Sequence, residues 1–315
     1  MAVFAIDAGG TRIKLGVVES GRVFARTAID ARSDEGLAPQ LQRIAAALRG
    51  LTSESVEGVG MAFPSLIDPA TGRVTYDPGK YRDAMDLDLS AWAAREFDAP
   101  FAIDNDARMA TIGEWRFGAG RGSGDVVMVT LGTGIGTGVI QGGQILRGRH
   151  GQAGCLGGHT VVDFDGHRCP CGGTGCAEAE ASTAALPARA AEDPGFAASP
   201  LARAVPLDYA AVCREAAGGD ACAVRLRDRA LQVWGALAVS LVHAYDPEIL
   251  IFGGGILGSG EAILGPIRER VRRDAWTPWG EVRIVASECG DDAALLACEW
   301  LVQGHDEHRH ETAIL

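Results

Sequence analysis

The chain has 315 residues, of which 47% are hydrophobic and 22% charged, as is ordinary for a globular protein of two domains. Its formal charge of −12 argues against a nucleic-acid surface, because such surfaces use Lys and Arg to neutralise phosphates. The N-terminus lacks a basic, apolar leader, and no apolar run reaches the roughly 18 residues of a membrane span. We therefore predict a cytoplasmic protein that binds neither nucleic acid nor membrane.

Strand-like and helix-like segments alternate along the chain, which predicts an α/β fold. Strands are expected at 3–6, 13–18, 23–27, 56–63, 99–103, 126–131, 137–140 and 248–252, and helices at 37–48, 107–117, 221–245, 261–273 and 291–302. The Gly-rich link 118–124 is the best candidate for a domain junction. A strand, a Gly/Thr turn and a second strand occur at the start of each half, which is the pattern that an ancient duplication leaves.

Two of these turns have the composition of phosphate-binding loops. The first is Asp7-x-Gly9-Gly10-Thr11, and the second is Gly132-Thr133-Gly134-x-Gly136. Glycines let backbone amides approach phosphate oxygens, the Thr hydroxyl adds a donor, and the Asp can hold a hydrated Mg²⁺. Either turn alone would be interpreted as an ordinary hairpin, but two in equivalent places favour phosphate binding.

A third glycine turn, Gly253-Gly254-Gly255-x-x-Gly258, lies between a predicted strand and a predicted helix. It fits G-x-G-x-x-G, so a dinucleotide-binding unit is one alternative. Only about 60 residues follow it, which is too few for the rest of such a unit, and no acidic residue ends a strand at the required distance. A nucleotide-facing turn in another fold suits it better, and the lack of G-x-x-x-x-G-K-[ST] excludes a P-loop kinase.

Asp104-Asn105-Asp106 closes a predicted strand and opens a predicted helix. A kinase that acts on an alcohol needs a carboxylate to accept the hydroxyl proton, and Asp106 is the candidate. Asn105 beside it can hydrogen-bond sugar hydroxyls. Asp106 could equally be a helix N-cap, since Asp favours that position.

Three cysteines and a histidine form a candidate metal site, with the pattern His159-x9-Cys169-x-Cys171-x4-Cys176. Four N/S ligands suit a closed, tetrahedral and therefore structural Zn²⁺ site. The alternatives are reduced or disulfide-linked cysteines, and His167 competes with His159 as the fourth ligand.

Together these motifs resemble the ROK family, which groups sugar kinases with sugar-responsive repressors. The resemblance spans residues 3 to about 303, essentially the whole chain. It is carried by Asp7–Gly16 with Lys14, by Leu131–Gly136, by Ile251–Gly255, by the Asn105-Asp106 pair, and by Gly158-His159 followed by Cys169-Pro-Cys171-Gly-x-x-Gly-Cys176-x-Glu178.

The resemblance implies two actin-like (ribonuclease H-like) domains with a cleft between them and a small zinc knuckle at 159–178. The first domain is expected at 1–117 plus about 290–315, and the second at 118–289. The resemblance also implies a sugar substrate, ATP, Mg²⁺, a structural Zn²⁺ and a homodimer. The implied roles are Asp106 as base; Asn105, Glu178 and His159 as sugar ligands; His159, Cys169, Cys171 and Cys176 as zinc ligands; and Asp7, Gly9, Gly10, Thr11, Lys14, Gly132, Thr133, Gly134, Gly253, Gly254 and Gly255 at the nucleotide.

Two further comparisons with the family bear on function. Family repressors carry a winged-helix domain ahead of the kinase-like body, whereas the first phosphate motif here begins at residue 7. We therefore expect a kinase, which phosphorylates the C6 hydroxyl of a hexose or related sugar.

Family kinases for glucose or N-acetylmannosamine usually have Glu-x-Gly-His. Here Leu156, or Cys155 if a glycine is inserted, replaces that Glu, which favours a sugar other than glucose. An inactive sugar sensor is the main alternative, and a dinucleotide-linked oxidoreductase is the second.

Overall fold

The computed structural model of the protein describes residues 2–77 and 79–304. They form an α/β fold with two five-stranded mixed sheets, which confirms the predicted α/β class. Residues 305–315, which were expected to belong to the first domain, lie outside the described residues.

The strands of the described residues are β1 (Val3–Ala8), β2 (Arg12–Glu19), β3 (Arg22–Asp30), β4 (Gly58–Phe63), β5 (Phe101–Asn105), β6 (Val126–Leu131), β7 (Ile135–Gln141), β8 (Gln144–Ile145), β9 (Ile249–Gly253) and β10 (Arg283–Ala286). The α-helices are α1 (Ala38–Arg49), α2 (Leu89–Phe97), α3 (Asp106–Phe117), α4 (Ala177–Ala181), α5 (Leu186–Ala191), α6 (Tyr209–Ala217), α7 (Ala221–Tyr245), α8 (Glu261–Asp274) and α9 (Ala293–Val302). Among these helices, none is long and apolar enough to cross a membrane. Sequence analysis did not predict α2, α4, α5, α6, β8 or β10, which are short.

The chain divides into two compact units. Unit 1 comprises Met1–Gly122, Gln144–Ala153 and Cys289–Leu315, and unit 2 comprises Ser123–Gly143 and Gly154–Glu288. The helix α9 thus belongs to the unit that also contains the N-terminal strands. The segment 144–153 belongs to unit 1 although it interrupts unit 2 in the sequence.

The two sheets have the same strand arrangement. One sheet has the order β3-β2-β1-β4-β5, and the other has β10-β9-β6-β7-β8, which is the same order written from the other edge. In each sheet the central strand pairs antiparallel with the strand that follows it and parallel with a later one, β4 or β9. The glycine turns that follow β1 and β6 therefore occupy equivalent places.

Helix α9 packs closely on β4 and α3. A Cβ atom on Gly60 of β4 would lie 2.5 Å from the Cys298 Cβ, and one on Gly113 of α3 would lie 2.0 Å from the Ala293 carbonyl oxygen. Only glycine permits this approach. The contact with α9 fixes the position of α3, whose first residue is Asp106.

Candidate functional site

The first glycine turn, between β1 and β2, is fixed by hydrogen bonds to its carbonyl groups. The Tyr81 hydroxyl donates to the Gly9 carbonyl at 2.8 Å, and the Ser33 hydroxyl donates to the Gly10 carbonyl at 2.9 Å. A Cβ atom on Gly9 would lie 2.7 Å from the Arg12 carbonyl oxygen, so no larger residue fits. The peptide groups of the turn are therefore held in one orientation, as preorganised binding of an anion requires.

Two charged residues on neighbouring strands lie beside this turn. Asp7 is opposite Lys14 in the register of β1 and β2, and the Lys14 ammonium lies 3.5 Å from the Asp7 carboxylate and 2.9 Å from that of Asp291. Burial raises the pKa of Asp7, while the charge of Lys14 opposes this shift. Lys14, predicted to bind the nucleotide, is thus already paired with two carboxylates.

The corner between β5 and α3 presents the predicted base. Asn105 is the N-cap of α3, since its side-chain oxygen accepts a hydrogen bond from the Arg108 amide at 3.2 Å. The alternative in which Asp106 is the N-cap is therefore wrong, and Asp106 is the first residue of the helix. The Asn105 amide nitrogen donates to the Ser65 carbonyl and to the Asp106 carboxylate, both at 3.2 Å.

The pKa of the Asp106 carboxyl suits a group that accepts a proton at neutral pH. Burial and the negative charge of Asp7 raise its pKa to about 6, whereas the amide of Ala107 and the charge of Lys80 oppose the shift. A carboxyl with this pKa is ionised at neutral pH and accepts a proton more readily than an ordinary aspartate. Such perturbed carboxyls are concentrated at functional sites.

Asp104, two residues earlier, is buried and paired with two arginines. Its buried carboxylate accepts hydrogen bonds from Arg108 at 2.5 Å and from two nitrogens of Arg147 at 3.0 and 2.7 Å. Burial alone would raise the pKa of Asp104, but the two guanidinium groups hold it below its usual range. Arg108 also donates to the Gly151 carbonyl at 2.9 Å, so this network joins segment 144–153 to the corner that presents Asp106.

The second glycine turn lies in unit 2 and is packed against Glu178. The Gly132 amide donates to the Gly134 carbonyl at 3.0 Å, and the Ile135 amide donates to Oε2 of Glu178 at 2.9 Å. A Cβ atom on Gly134 would lie 2.6 Å from the same oxygen. The glycine therefore makes room for the carboxylate that the family resemblance assigns to the sugar.

The third glycine turn lies beside the second. The strands β6 and β9 are parallel neighbours with Thr130 opposite Gly253, so both turns follow the same edge of the sheet. Gly254 has φ of 93°, and a Cβ atom on it would lie 2.2 Å from the Leu131 carbonyl oxygen. Only glycine tolerates that conformation and that contact.

The predicted metal ligands are brought together. The ligand atoms of His159, Cys169, Cys171 and Cys176 all lie within 4.8 Å of one another. The Cys169 sulfur lies 3.6 Å from Nδ1 of His159, and the sulfurs of Cys171 and Cys176 are 3.7 Å apart. Tetrahedral Zn²⁺, with bonds of about 2.3 Å to sulfur and about 2.0 Å to nitrogen, places such pairs about 3.5 and 3.8 Å apart. The donor set and its spacing therefore fit a zinc ion.

His167, the alternative fourth ligand, takes part in a different network. Its ring nitrogens lie 2.9 Å from the buried carboxylate of Glu180 and 3.2 Å from that of Glu192. Arg229 of α7 donates to Glu180 at 3.2 Å and to Asp163 at 2.6 Å. This network, which the sequence analysis did not find, fastens the cysteine-bearing loop to α7.

Of the two residues that could replace the family's glutamate, Leu156 is the exposed one. Leu156 is 37% exposed and Cys155 only 6%. The Gly157 amide that follows donates to the Thr137 hydroxyl at 2.8 Å, so the local backbone is anchored. Of the two residues, Leu156 therefore presents the more accessible apolar side chain.

Comparisons with known proteins agree with these motifs. A family model described as the ROK family matches residues 3–305. The chain belongs to the ROK family. A glucokinase of Thermotoga maritima is 32% identical over 311 residues, which are 96% of this chain and 98% of that protein. A ROK family glucokinase from Streptomyces griseus, whose crystal structure contains glucose and AMPPNP, is 33% identical, has a TM-score of 0.81, and is matched over 96% of this chain and 100% of that one.

Repressors are also similar to the chain. A xylose repressor of Caldicellulosiruptor bescii is 27% identical over 256 residues, which are 78% of this chain and 62% of the repressor. The family model confirms the predicted family, and the proteins similar to the chain include both glucokinases and repressors.

Proposed function

We propose that this ROK chain is an ATP-dependent carbohydrate kinase that phosphorylates a hydroxyl group, at C6, of a hexose or a related sugar. The observation that carries the proposal is the environment of Asp106. This residue is the first of α3, and its carboxyl has a pKa of about 6, which Asp7 raises and Lys80 lowers. The similarity to glucokinases over nearly the whole chain supports the same reaction class.

Asp106 is the general base of the proposed reaction. The sugar hydroxyl oxygen forms a bond to the γ-phosphorus while the bond from that phosphorus to the β,γ-bridging oxygen breaks. The electron pair of the broken bond leaves with ADP, and the hydroxyl proton passes to Asp106. The proposed ligands of the nucleotide are the turns Asp7–Thr11, Gly132–Gly134 and Gly253–Gly255.

We assign Mg²⁺ to Asp7. A half-buried carboxylate beside a glycine turn suits a hydrated Mg²⁺, and the positive charge of the metal would favour the ionised carboxylate that desolvation disfavours. When bound, Mg²⁺ neutralises charge on the nucleotide phosphates. The Lys14 ammonium lies 3.5 Å from the Asp7 carboxylate and orients it.

The sugar ligands in this proposal are Asn105, Glu178 and His159. Oε2 of Glu178 is bound by the Ile135 amide, which leaves Oε1 for a sugar hydroxyl. Nδ1 of His159 faces the cysteine sulfurs, so Nε2 is the nitrogen for the sugar, and a structural Zn²⁺ would fix the ring. Because Leu156 offers no hydrogen bond, we infer a substrate that differs from glucose at the hydroxyl the family glutamate contacts.

The test is ADP release by the zinc-replete protein with Mg-ATP against hexoses, N-acetylhexosamines, ketoses and inositols. A sugar-dependent signal that Asp106→Asn abolishes is the expected result. A signal that persists at the wild-type rate in Asp106→Asn would remove this residue from the role of base.

A sugar sensor without kinase activity is the second candidate. Leu156 in place of a sugar-binding carboxylate and the similarity to a xylose repressor favour it. Calorimetric binding of a sugar by a folded, zinc-loaded protein that releases no ADP with any member of the panel would support the sensor and contradict the kinase.

A further inference from the structure

We propose that Lys80 is a second catalytic group of the phosphoryl transfer, and that its ammonium binds the γ-phosphoryl oxygens over the Gly9–Gly10 turn. The inference rests on the proposed kinase function and adds a residue to which no sequence motif points. It requires that Lys80 lie at the turn, that its position be fixed, and that its charge be free for a ligand.

Lys80 lies directly over the phosphate turn. A Cβ atom on Gly10 would be 2.8 Å from both Nζ and Cε of Lys80 and 3.0 Å from its Cδ. The side chain thus occupies the space that any residue larger than glycine would fill. Its charge also reaches Asp106, whose pKa it lowers. One ammonium is therefore close to both the phosphate turn and the proposed base.

The segment that carries Lys80 is fastened to the same turn. Tyr81 is buried, donates its hydroxyl hydrogen to the Gly9 carbonyl at 2.8 Å, and donates its backbone amide to the Ser33 carbonyl at 2.9 Å. The Asp83 carboxylate accepts hydrogen bonds from the amides of Leu37 and Ala38 at the start of α1. These contacts hold the Lys80 backbone and limit where its ammonium can reach.

The charge of Lys80 is available, unlike that of Lys14. Of the 29 basic residues in the chain, two are lysines, and both lie at this turn. Lys14 is paired with Asp7 and Asp291, whereas Lys80 forms no ion pair with the residues that the structure describes. A lysine ammonium is a compact charge with three donors, which suits the spread of negative charge over phosphoryl oxygens.

In the transfer step Lys80 keeps its proton and acts by charge. As the sugar oxygen bonds to phosphorus and ADP leaves, the ammonium neutralises the three peripheral oxygens of the moving group. The hydroxyl proton goes to Asp106. Lys80 also favours the ionised form of Asp106 before the step, so one cation supports both the base and the phosphoryl group.

The experiment compares Lys80→Met with Lys80→Arg and with Arg82→Met, an exposed cation of the same segment, as the matched control. With a sugar that the wild type phosphorylates, Lys80→Met is expected to lower kcat/KM about 100-fold, the usual effect of losing one such group. Lys80→Arg should recover part of the loss, and Arg82→Met should match the wild type. Calorimetry should show that Lys80→Met weakens binding of AMPPNP but not of ADP.

The outcomes separate this inference from the proposed function. If the wild type releases no ADP with any sugar, the kinase proposal fails, and Lys80 is then judged on nucleotide binding alone. Folded Lys80→Met protein that loses no preference for AMPPNP over ADP overturns the inference. Values of kcat/KM within about threefold of the wild type overturn it as well.

Discussion

Two substitutions on either side of Asn105 are expected to have opposite effects on stability: Asp106→Asn should stabilise the fold and Asp104→Asn should destabilise it. The pKa of Asp106 is raised from 3.8 to about 6 because burial and Asp7 disfavour its charged form. That difference corresponds to about 3 kcal/mol of free energy at a pH where the group is ionised. Asp106→Asn keeps the side-chain volume and removes the charge. At pH 8 it should increase the free energy of unfolding by up to about 3 kcal/mol while lowering kcat by about 10²–10⁴-fold.

The stability difference between Asp106→Asn and the wild type should increase with pH. In the folded wild type Asp106 keeps its proton to higher pH than in the unfolded chain, so the wild type loses stability as the pH rises from about 4 to about 6. The increase in the free energy of unfolding that Asp106→Asn causes should therefore reach its full value at pH 8 and be about half as large at pH 5.

Asp104→Asn is the matched control with the opposite sign. Arg108 and Arg147 hold the pKa of Asp104 below its usual value, so its carboxylate stabilises the fold above the unfolded pKa and loses that effect as the pH falls. Removing the charge leaves two guanidinium groups without their partner, which costs about 3–5 kcal/mol for a buried pair.

Urea unfolding at pH 8 and pH 5, followed by tryptophan fluorescence, measures both effects. The reasoning is refuted if Asp106→Asn is less stable than the wild type at pH 8. It is also refuted if the gain from Asp106→Asn does not change with pH, or if Asp104→Asn is as stable as the wild type.

Three further predictions concern the metal, the sugar and the base. Metal analysis should find one Zn²⁺ per chain, and Cys171→Ser should lose the metal and lower the thermal midpoint; an unchanged midpoint would contradict a structural ion. Leu156→Glu should raise kcat/KM for glucose at least about fivefold, since a regained hydrogen bond contributes about 1 kcal/mol or more, and no gain would show that Leu156 is not at the sugar. The logarithm of kcat/KM should fall with a slope of one below an apparent pKa near 6, and an acid limb near pH 4 would exclude Asp106 as the base.

The sequence predicted those elements that have long and regular patterns. The helix α7 was expected at 221–245 and the strand β6 at 126–131, and both have these bounds in the structure. The helices α4, α5 and α6 have five to nine residues and many alanines, so no apolar periodicity distinguishes them from loops. The place of segment 144–153 in unit 1 depends on Arg147, whose partner Asp104 is 43 residues away.

The candidate site was predictable where its residues are close in sequence. The four candidate metal ligands lie within 18 positions, and their residue types alone limit the chemistry to a few ions. Spacing did not decide between His159 and His167, because the choice depends on tertiary contacts: His159 lies with the three cysteines, whereas the ring of His167 pairs with Glu180 and Glu192. Lys80 lies 70 positions from Gly10 and belongs to no motif; the rarity of lysine in the chain was the available signal.

The corner between β5 and α3 explains how the fold holds a carboxyl with a raised pKa in one place. Asp106 is unfavourable for stability, since burial and Asp7 both oppose its charge. Asp104 supplies the opposing stabilisation: it binds two guanidinium groups, and it accepts a hydrogen bond from the backbone amide of Asn105 at 2.7 Å. Asn105 in turn caps α3. Asp104 stabilises the corner, and the charge of Asp106 is unfavourable within it. The two residues are joined through the Asn105 cap, so a change that weakens the contacts of Asp104 should displace Asp106 before it unfolds the unit.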